Sequence, residues 1–292
     1  MTASIADRPG MSGEPEIQVL DDPAACSDAA AHIIARALDN AIDRRRRADW
    51  ATTGGSAPTG IYQVLASAPH RTEVPWERVH IWWGDDRYVP RDHPYSNVLP
   101  LDQVLLSASA RGGFSGSGAD GAEVEIGREP GVWIPPSNVH APAMADAIGD
   151  GSGLDGAVAA YEAALRADGP PVAENGFPSF DVVLLGIGPD GHLLSVFPDS
   201  PLLDEGDAWV AAIPAPTHVE PHVARLSLNP RIVAAAQSVV VVVHGGAKAA
   251  ILASVFGPTR DERRWPAQLA RRASATWILD RAAAAQLSKP PG

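Results

Sequence analysis

The chain has 292 residues, of which 45% are hydrophobic and 20% charged, as expected for a globular protein with a sizeable core. Its formal net charge of −12 argues against nucleic acid or an anionic membrane as a partner. Cys26 is the single cysteine, which excludes an intrachain disulfide and a thiolate metal site. No stretch approaches the roughly 20 apolar residues of a membrane helix.

The N-terminal residues 1–15 are polar, rich in glycine and proline, and lack the apolar run of a signal peptide. We interpret them as a disordered leader on a cytoplasmic protein. A strand is predicted at 17–20, and Asp22-Pro23 begins a helix that extends to about Arg47. Four arginines at 44–47 end this helix, where cations offset the helix dipole, so we interpret them as a solvated helix end.

Apolar runs alternate with helical patterns along the rest of the chain. Strands are predicted at 79–83, 181–185, 223–228, 239–243 and 275–279, and helices at 98–107, 155–167, 231–236, 246–256 and 281–287. Five consecutive valines at 239–243 are typical of a strand covered on both faces. The glycine-rich stretch 111–131 indicates a surface insertion.

This alternation predicts a single α/β domain over residues 16–289. We expect a mostly parallel sheet flanked by helices on both faces, with some appended β structure.

The first segment whose residues could bind a ligand is Thr-Thr-Gly-Gly-Ser-Ala-Pro-Thr-Gly at 52–60. Adjacent Gly54 and Gly55 let backbone N–H groups point into one concavity, and Ser56 adds a hydroxyl before a helical pattern. The turn therefore suits a phosphate, although a plain Gly-Pro turn fits the same residues. Before it only Trp50-Ala51 is apolar, so the preceding strand is predicted to be short.

The second segment follows the strand at 79–83, where Asp85, Asp86 and Arg87 come directly after Trp-Trp-Gly. In parallel α/β sheets, ligands bind beyond the carboxyl ends of strands, which is where these three charges fall. A solvated loop with a local ion pair is the alternative. His80 alternates into the strand itself and is interpreted as a structural histidine.

The third segment is Gly-Ile-Gly-Pro-Asp-Gly-His at 186–192. It matches the dinucleotide pattern G-x-G-x-x-G, but Asp190 would repel a pyrophosphate and the apolar pattern stops at Pro198, too early for a crossover helix. A turn that presents His192 for proton transfer, with Asp190 to orient it, fits better. A capping aspartate and a satisfied histidine remain the alternative.

Two later cations complete the set of candidates. Arg225 lies within a predicted strand, and Lys248 opens a helix after the valine strand, where the helix dipole disfavours a cation. A bound phosphate would remove that objection, whereas a solvated lysine is the alternative for Lys248.

Together these segments resemble the 6-phosphogluconolactonases, which catalyse the second step of the oxidative pentose phosphate pathway. The resemblance spans about residues 16–287. It rests on Gly-Gly-Ser-Ala-Pro at 54–58, Trp-Gly-Asp-Asp-Arg-Tyr-Val-Pro at 83–90 with Ser96-Asn97, Gly-Ile-Gly-Pro-Asp-Gly-His at 186–192 with Ser-Val-Phe-Pro at 195–198, Arg-Leu-Ser-Leu at 225–228, and Gly-Ala-Lys-Ala at 246–249.

The resemblance implies a fold shared with glucosamine-6-phosphate deaminases and ribose-5-phosphate isomerases. It also implies a cytoplasmic enzyme without metal or organic cofactor, a monomer or small homo-oligomer, that hydrolyses 6-phospho-D-glucono-1,5-lactone to 6-phospho-D-gluconate. By position, His192 is the general base. Arg87 and the turn Gly54, Gly55, Ser56 line the substrate site, and Arg225 and Lys248 supply positive charge.

We further hypothesise that Asp190 orients the imidazole, that Arg87 stabilises the oxyanion and that Asp85 holds sugar hydroxyls. The 6-phosphate would then rest on the glycine turn, Arg225 and Lys248. The sequence departs from the family pattern at Asp86, where Glu is usual, at Ala57, where Thr is usual, and at Leu193-Leu194, where Thr-Ala is usual.

Two other functions fit parts of this pattern. An amino-sugar-phosphate deaminase or isomerase of the same fold would carry an acidic residue five positions after the histidine, where this chain has Phe197. A non-catalytic sugar-phosphate sensor would not need His192 and Arg87, which are present. A covalent serine mechanism is disfavoured because no serine lies in a G-x-S-x-G motif.

Overall fold

The computed structural model describes residues 13–106, 131–204 and 206–287. Nearly all of the leader predicted at 1–15 and of the insertion predicted at 111–131 lies outside these ranges, as do residues 288–289 of the predicted domain. Within the described ranges, no helix is long and apolar enough to cross a membrane.

Ten strands and eight α-helices make up the described fold. The strands are β1 (Glu16–Leu20), β2 (Ala48–Thr52), β3 (Val79–Trp83), β4 (Asp85–Arg87), β5 (Val139–His140), β6 (Val182–Leu185), β7 (Val210–Ile213), β8 (Arg225–Leu228), β9 (Ser238–Val243) and β10 (Ala275–Asp280). The helices are α1 (Pro23–Arg45), α2 (Ser56–Leu65), α3 (His70–Glu73), α4 (Leu99–Val104), α5 (Met144–Gly149), α6 (Gly153–Asp168), α7 (Arg231–Ala235) and α8 (Ala249–Val255).

Seven strands form one parallel sheet in the order β1-β10-β9-β6-β2-β3-β5. Buried apolar side chains lie on both of its faces, with α1, α2 and α4 packed on one face and α5 to α8 on the other. Along β9, Val239 and Val241 face one cluster and Val240 and Val242 the other. The predicted fold class, including a valine strand covered on both faces, is therefore confirmed.

The strand before the glycine turn is longer than predicted. β2 spans five residues inside the sheet, between β6 and β3, and all five are buried, including Asp49. Asp49 is tolerated there because Arg47 contacts both of its carboxylate oxygens and Trp82 Nε1 donates to it at 3.2 Å. The arginine run therefore ends α1 and also neutralises a buried carboxylate in the next strand.

The appended β structure is a three-stranded antiparallel sheet in the order β4-β8-β7. Its β4 strand consists of Asp85, Asp86 and Arg87. The sequence analysis placed these residues just beyond the strand at 79–83 without predicting a second strand, and the alternative of a solvated loop is wrong. The predicted last helix is wrong in type and length: a 3-10 turn occupies Ala283–Gln286. A 3-10 turn at Gly246–Lys248 also precedes α8, so the helix predicted at 246–256 begins later.

Candidate active site

A cleft opens at the carboxyl ends of β2, β6 and β9, beside the small antiparallel sheet. Seven of the nine predicted site residues line it, namely Gly54, Gly55, Asp85, Arg87, His192, Arg225 and Lys248. Asp190 lies behind His192 instead of on the cleft wall. The side chain of Ser56 lies outside the described part of the chain, so its predicted hydroxyl contact stays a prediction.

The glycine turn forms the cleft wall between β2 and α2. Gly55 has a φ of 101°, which favours glycine, and no side chain caps the start of α2. A Cβ on Gly54 would lie 1.7 Å from Asn97 Oδ1, so only glycine leaves room for that amide. The first N–H groups of a ten-residue helix therefore face a site where an anion would be stabilised.

Asn97 joins this turn to Arg87. Its Oδ1 accepts from Arg87 Nη1 at 2.6 Å, and its Nδ2 donates to the backbone oxygen of Asp85 at 2.8 Å. Tyr95 O accepts a second bond from Arg87 Nη1 at 2.9 Å. Arg87 is therefore held rigidly at the cleft, and Asn97 is a positioning residue to which the sequence analysis had given no role.

The two acidic residues of β4 have different surroundings. Asp85 lines the cleft and accepts from Ser195 Oγ at 2.7 Å. Asp86 is buried beneath it and accepts from the backbone N–H groups of Arg87 and Asn97 at 2.8 and 2.7 Å. Burial is the main cause that raises the pKa of Asp86 to about 7, and the charge of Asp85 adds to it, against the effect of those hydrogen bonds.

His192 belongs to a chain of hydrogen bonds centred on Asp190. Asp190 Oδ1 lies 2.6 Å from His192 Nδ1, and Asp190 Oδ2 lies 2.9 Å from His218 Nε2. Burial alone would raise the pKa of Asp190, but the hydrogen bond and charge of His192, aided by His218, hold it well below the usual range. Asp190 is therefore an ionised carboxylate that fixes the ring of His192.

Close packing explains the glycines of this turn. A Cβ on Gly188 would lie 2.0 Å from His192 Nδ1 and 2.7 Å from Asp190 Oδ1. The side chains of His192 and Asp190 therefore pack directly against the backbone of Gly188, where no larger residue would fit. Gly191 has a φ of 85°. These glycines make room for the imidazole of His192. This agrees with the interpretation that the G-x-G-x-x-G pattern here is not a dinucleotide-binding turn.

Three cations face the cleft. Arg225 lies directly opposite Arg87 in the β4–β8 pairing, and its guanidinium lies 5.2 Å from the centre of the Phe197 ring. Lys248 Nζ donates to Ile187 O at 2.8 Å. Burial is the main cause that lowers the pKa values of Arg225 and Lys248. These positive charges are poorly solvated, which favours a bound anion.

The residues that depart from the family pattern lie at or just behind this cleft. Ala57 and Leu194 line it, whereas Leu193 is buried. His218, which contacts Asp190, had no role in the sequence analysis, because it lies in the loop between β7 and β8 with no pattern around it. Ser96-Asn97 did stand out in the sequence, so Asn97 had a signal that His218 lacked.

Comparisons with known proteins agree with this arrangement. Residues 21–279 match the family model described as "Glucosamine-6-phosphate isomerases/6-phosphogluconolactonase". A 6-phosphogluconolactonase of Streptomyces coelicolor is 33% identical over 96% of this chain and 97% of its own. One from Mycobacterium tuberculosis is 31% identical over 93% of this chain and 98% of its own.

Solved structures agree on the fold. The 6-phosphogluconolactonase of Trypanosoma cruzi matches with a TM-score of 0.75 and 27% identity, over 97% of this chain and 100% of that one. A monomeric glucosamine-6-phosphate deaminase, at 15% identity and a TM-score of 0.69, covers 93% of this chain and 99% of its own and shares the fold alone. The chain belongs to the family of glucosamine-6-phosphate isomerases and 6-phosphogluconolactonases.

Proposed function

We propose that this protein is a 6-phosphogluconolactonase, which hydrolyses 6-phospho-D-glucono-1,5-lactone to 6-phospho-D-gluconate in the oxidative pentose phosphate pathway. One observation carries the proposal: an imidazole fixed by a carboxylate shares a single cleft with three cations. Relatives at about 30% identity over most of the chain bear the same name. The family membership thus agrees with the chemistry of the cleft.

The proposed reaction uses His192 as general base. Because its Nδ1 faces Asp190, its Nε2 is the nitrogen that takes a proton from water. The water oxygen bonds to the lactone carbonyl carbon, and the carbonyl oxygen takes up the negative charge. When the carbonyl double bond re-forms, the bond between the carbonyl carbon and the ring oxygen breaks, and the proton on Nε2 passes to that ring oxygen. A positioned base of this kind contributes ~10²–10⁴-fold.

The remaining charged groups divide between the two ends of the substrate. Arg87, held by Asn97, would stabilise the oxyanion, a role in which one lost donor costs on the order of 10²–10³-fold. Asp85 would accept from sugar hydroxyls. The 6-phosphate would rest on the glycine turn, Arg225 and Lys248, where the unfavourable burial of cations is relieved by an anion.

The side chain of Phe197 favours hydrolysis over deamination. Its ring centre lies 4.6 Å from that of His192, and it occupies the sequence position at which a deaminase of this fold would carry the acid for ring opening. An apolar ring there cannot transfer a proton. It does provide a face for the guanidinium of Arg225.

The proposed chemistry needs water and side chains alone, since a lactone is already a reactive ester. We therefore assign no metal or organic cofactor to it, and we place the reaction in the cytoplasm, in a monomer or small homo-oligomer. Residues 16–289 would form the catalytic domain.

The decisive experiment generates the δ-lactone in situ from glucose 6-phosphate and follows its decay against the spontaneous rate. The wild type should accelerate the decay, and His192→Ala should lose ~10²–10⁴-fold in kcat while it still binds 6-phosphogluconate. His244→Ala is the matched control, because it removes another imidazole from the same cleft and should stay within a few-fold of the wild type.

Four results would contradict this proposal in whole or in part. Lactone decay at the spontaneous rate in the presence of the wild type would refute the lactonase activity, and near wild-type turnover by His192→Ala would refute the assignment of the base. Release of ammonia from glucosamine 6-phosphate by the wild type would instead identify a deaminase. Tight binding of 6-phosphogluconate without any turnover would identify a sensor.

A further inference from the structure

A second group of ligand-type side chains lies away from the cleft. His80, on β3, and His140, on the edge strand β5, meet Asp168 at the end of α6. Among the described residues, this is the one group of three such side chains whose ligand atoms all lie within 4.8 Å of one another. None of the three takes part in the proposed reaction.

The distances within this group do not fit a complete hydrogen-bond network. His80 Nδ1 and His140 Nε2 are 2.9 Å apart, which is one hydrogen bond. Asp168 Oδ2, however, lies 3.8 Å from the first nitrogen and 3.6 Å from the second, beyond hydrogen-bond range of both. The carboxylate oxygen therefore faces the two rings without bonding to either.

The same distances do fit a metal ion. A point equidistant from the three atoms lies about 2.0 Å from each of them, which is the length of zinc bonds to imidazole and carboxylate. The two imidazoles would each give up their mutual hydrogen bond and turn their nitrogens toward that point. The geometry is thus already close to that of three ligands around one cation.

Neighbouring residues hold the ligands in place. Asp168 Oδ1 accepts from Arg47 Nη1 at 3.0 Å, which leaves Oδ2 turned toward the histidines. The ring of His140 stacks on that of Trp82 with centres 3.8 Å apart and planes 5° from parallel. Such outer contacts are typical of metal sites, because they fix the orientation of each ligand.

Charge and access also suit a cation. Burial lowers the pKa values of His80 and His140, which favours neutral rings. The surrounding charges are those of two arginines against three carboxylates, which leaves a net negative charge: Arg45 and Arg47 against Asp49, Asp168 and Asp181. The rings are largely buried, but the side chain of Asp168 is 53% exposed, which gives an entry path and room for a water ligand. A site with three protein ligands and one open position is common for zinc.

We propose that His80, His140 and Asp168 form a binding site for Zn²⁺ or a similar borderline divalent cation. Two imidazoles and one carboxylate select such ions over Mg²⁺ and Ca²⁺, which prefer oxygen ligands. The bound ion ties the end of α6 to β3 and to β5, an edge strand of only two residues. His80 lies five residues before Asp85, roughly 16 Å along an extended chain, so the ion acts on stability and not on the reaction.

The test titrates the chelator-stripped full chain with ZnCl₂ by isothermal calorimetry. The wild type should bind one equivalent, and His140→Ala and Asp168→Asn, which each remove a ligand, should weaken binding on the order of 100-fold or more, because the loss of an outer contact alone costs roughly 10–100-fold. Asp168→Asn is the gentler variant, because it keeps an oxygen for Arg47. Zinc at 100 times Kd should raise the wild-type Tm by roughly 5 °C, and this shift should disappear in Asp168→Asn.

His192→Ala is the matched control, because the imidazole and carboxylate of the cleft are the competing zinc ligands. It should retain wild-type zinc affinity, while Asp168→Asn should retain lactone decay at the wild-type rate. Zinc binding lost in His192→Ala, or equally strong in the wild type and Asp168→Asn, would overturn the proposal. So would the lack of saturable zinc binding by the wild type.

Discussion

Asp86→Asn tests whether burial raises the pKa of the Asp86 carboxyl beneath the cleft. Asp86 is 1% exposed, and its Oδ1 accepts two backbone N–H groups, while Oδ2 accepts weakly from Ser96 Oγ at 3.3 Å. An asparagine can keep both backbone bonds through its oxygen and direct its amide toward Ser96. The substitution therefore removes a charge with little change in shape.

The magnitude follows from the raised pKa. In the unfolded chain the pKa of an aspartate is near 3.9, and in the folded protein that of Asp86 is about 7. Below about pH 3 both states hold the proton and ionisation has no effect on stability. As pH rises toward 7 only the unfolded state loses its proton, so stability falls, by about 4 kcal/mol in total above pH 8.

Urea unfolding at pH 5 and pH 8 measures this effect. Because the asparagine variant lacks the ionisation, its free energy of unfolding relative to the wild type should increase by about 2.5 kcal/mol between the two pH values. Asp22→Asn, at the exposed N-cap of α1, controls for the loss of one carboxylate from an acidic chain. A difference that is the same at both pH values would refute the assigned pKa and the burial argument behind it.

Two further predictions concern the cleft and the core. Lys248→Ala should raise KM for the phosphorylated lactone much more than it lowers kcat, since the ammonium binds a group that does not react; steady-state kinetics check this, and an unchanged KM would exclude a phosphate contact. Leu252→Ala, a fully buried position on α8, should lower the free energy of unfolding by about 2–5 kcal/mol, and a loss below about 1 kcal/mol in urea would contradict its packing role.

Strands that are buried on both faces were readily predicted from sequence. The valine run of β9 and the apolar residues of β3 report burial directly, since solvent-facing positions would be polar. β2 was underestimated because Asp49 is neutralised by arginines outside the strand, a fact of tertiary structure. β4 and β7 escaped prediction because they exist only through pairing with β8.

The residues of the candidate site also fall into those that the sequence could predict and those that it could not. His192 and Arg87 follow strands directly, and strand ends in parallel sheets converge, so the sequence could predict their meeting. His218 is 28 residues from Asp190 along the chain and reaches it through a loop, so no local spacing could have identified it. The burial of both Asp85 and Asp86 could not be predicted either, because adjacent residues on a strand point to opposite sides, so alternation favours exposure of one of the two carboxylates.

The facing arginines of β4 and β8 set the stability of the fold against its proposed function. Arg87 and Arg225 occupy directly opposed positions on neighbouring strands, an arrangement of like charges that works against folding. Selection for stability alone would therefore favour neutral residues at the two positions that the proposed function assigns to binding an anionic substrate. If Arg87 and Arg225 bind the substrate as proposed, stabilising the smaller sheet and keeping affinity for a phosphorylated sugar oppose each other.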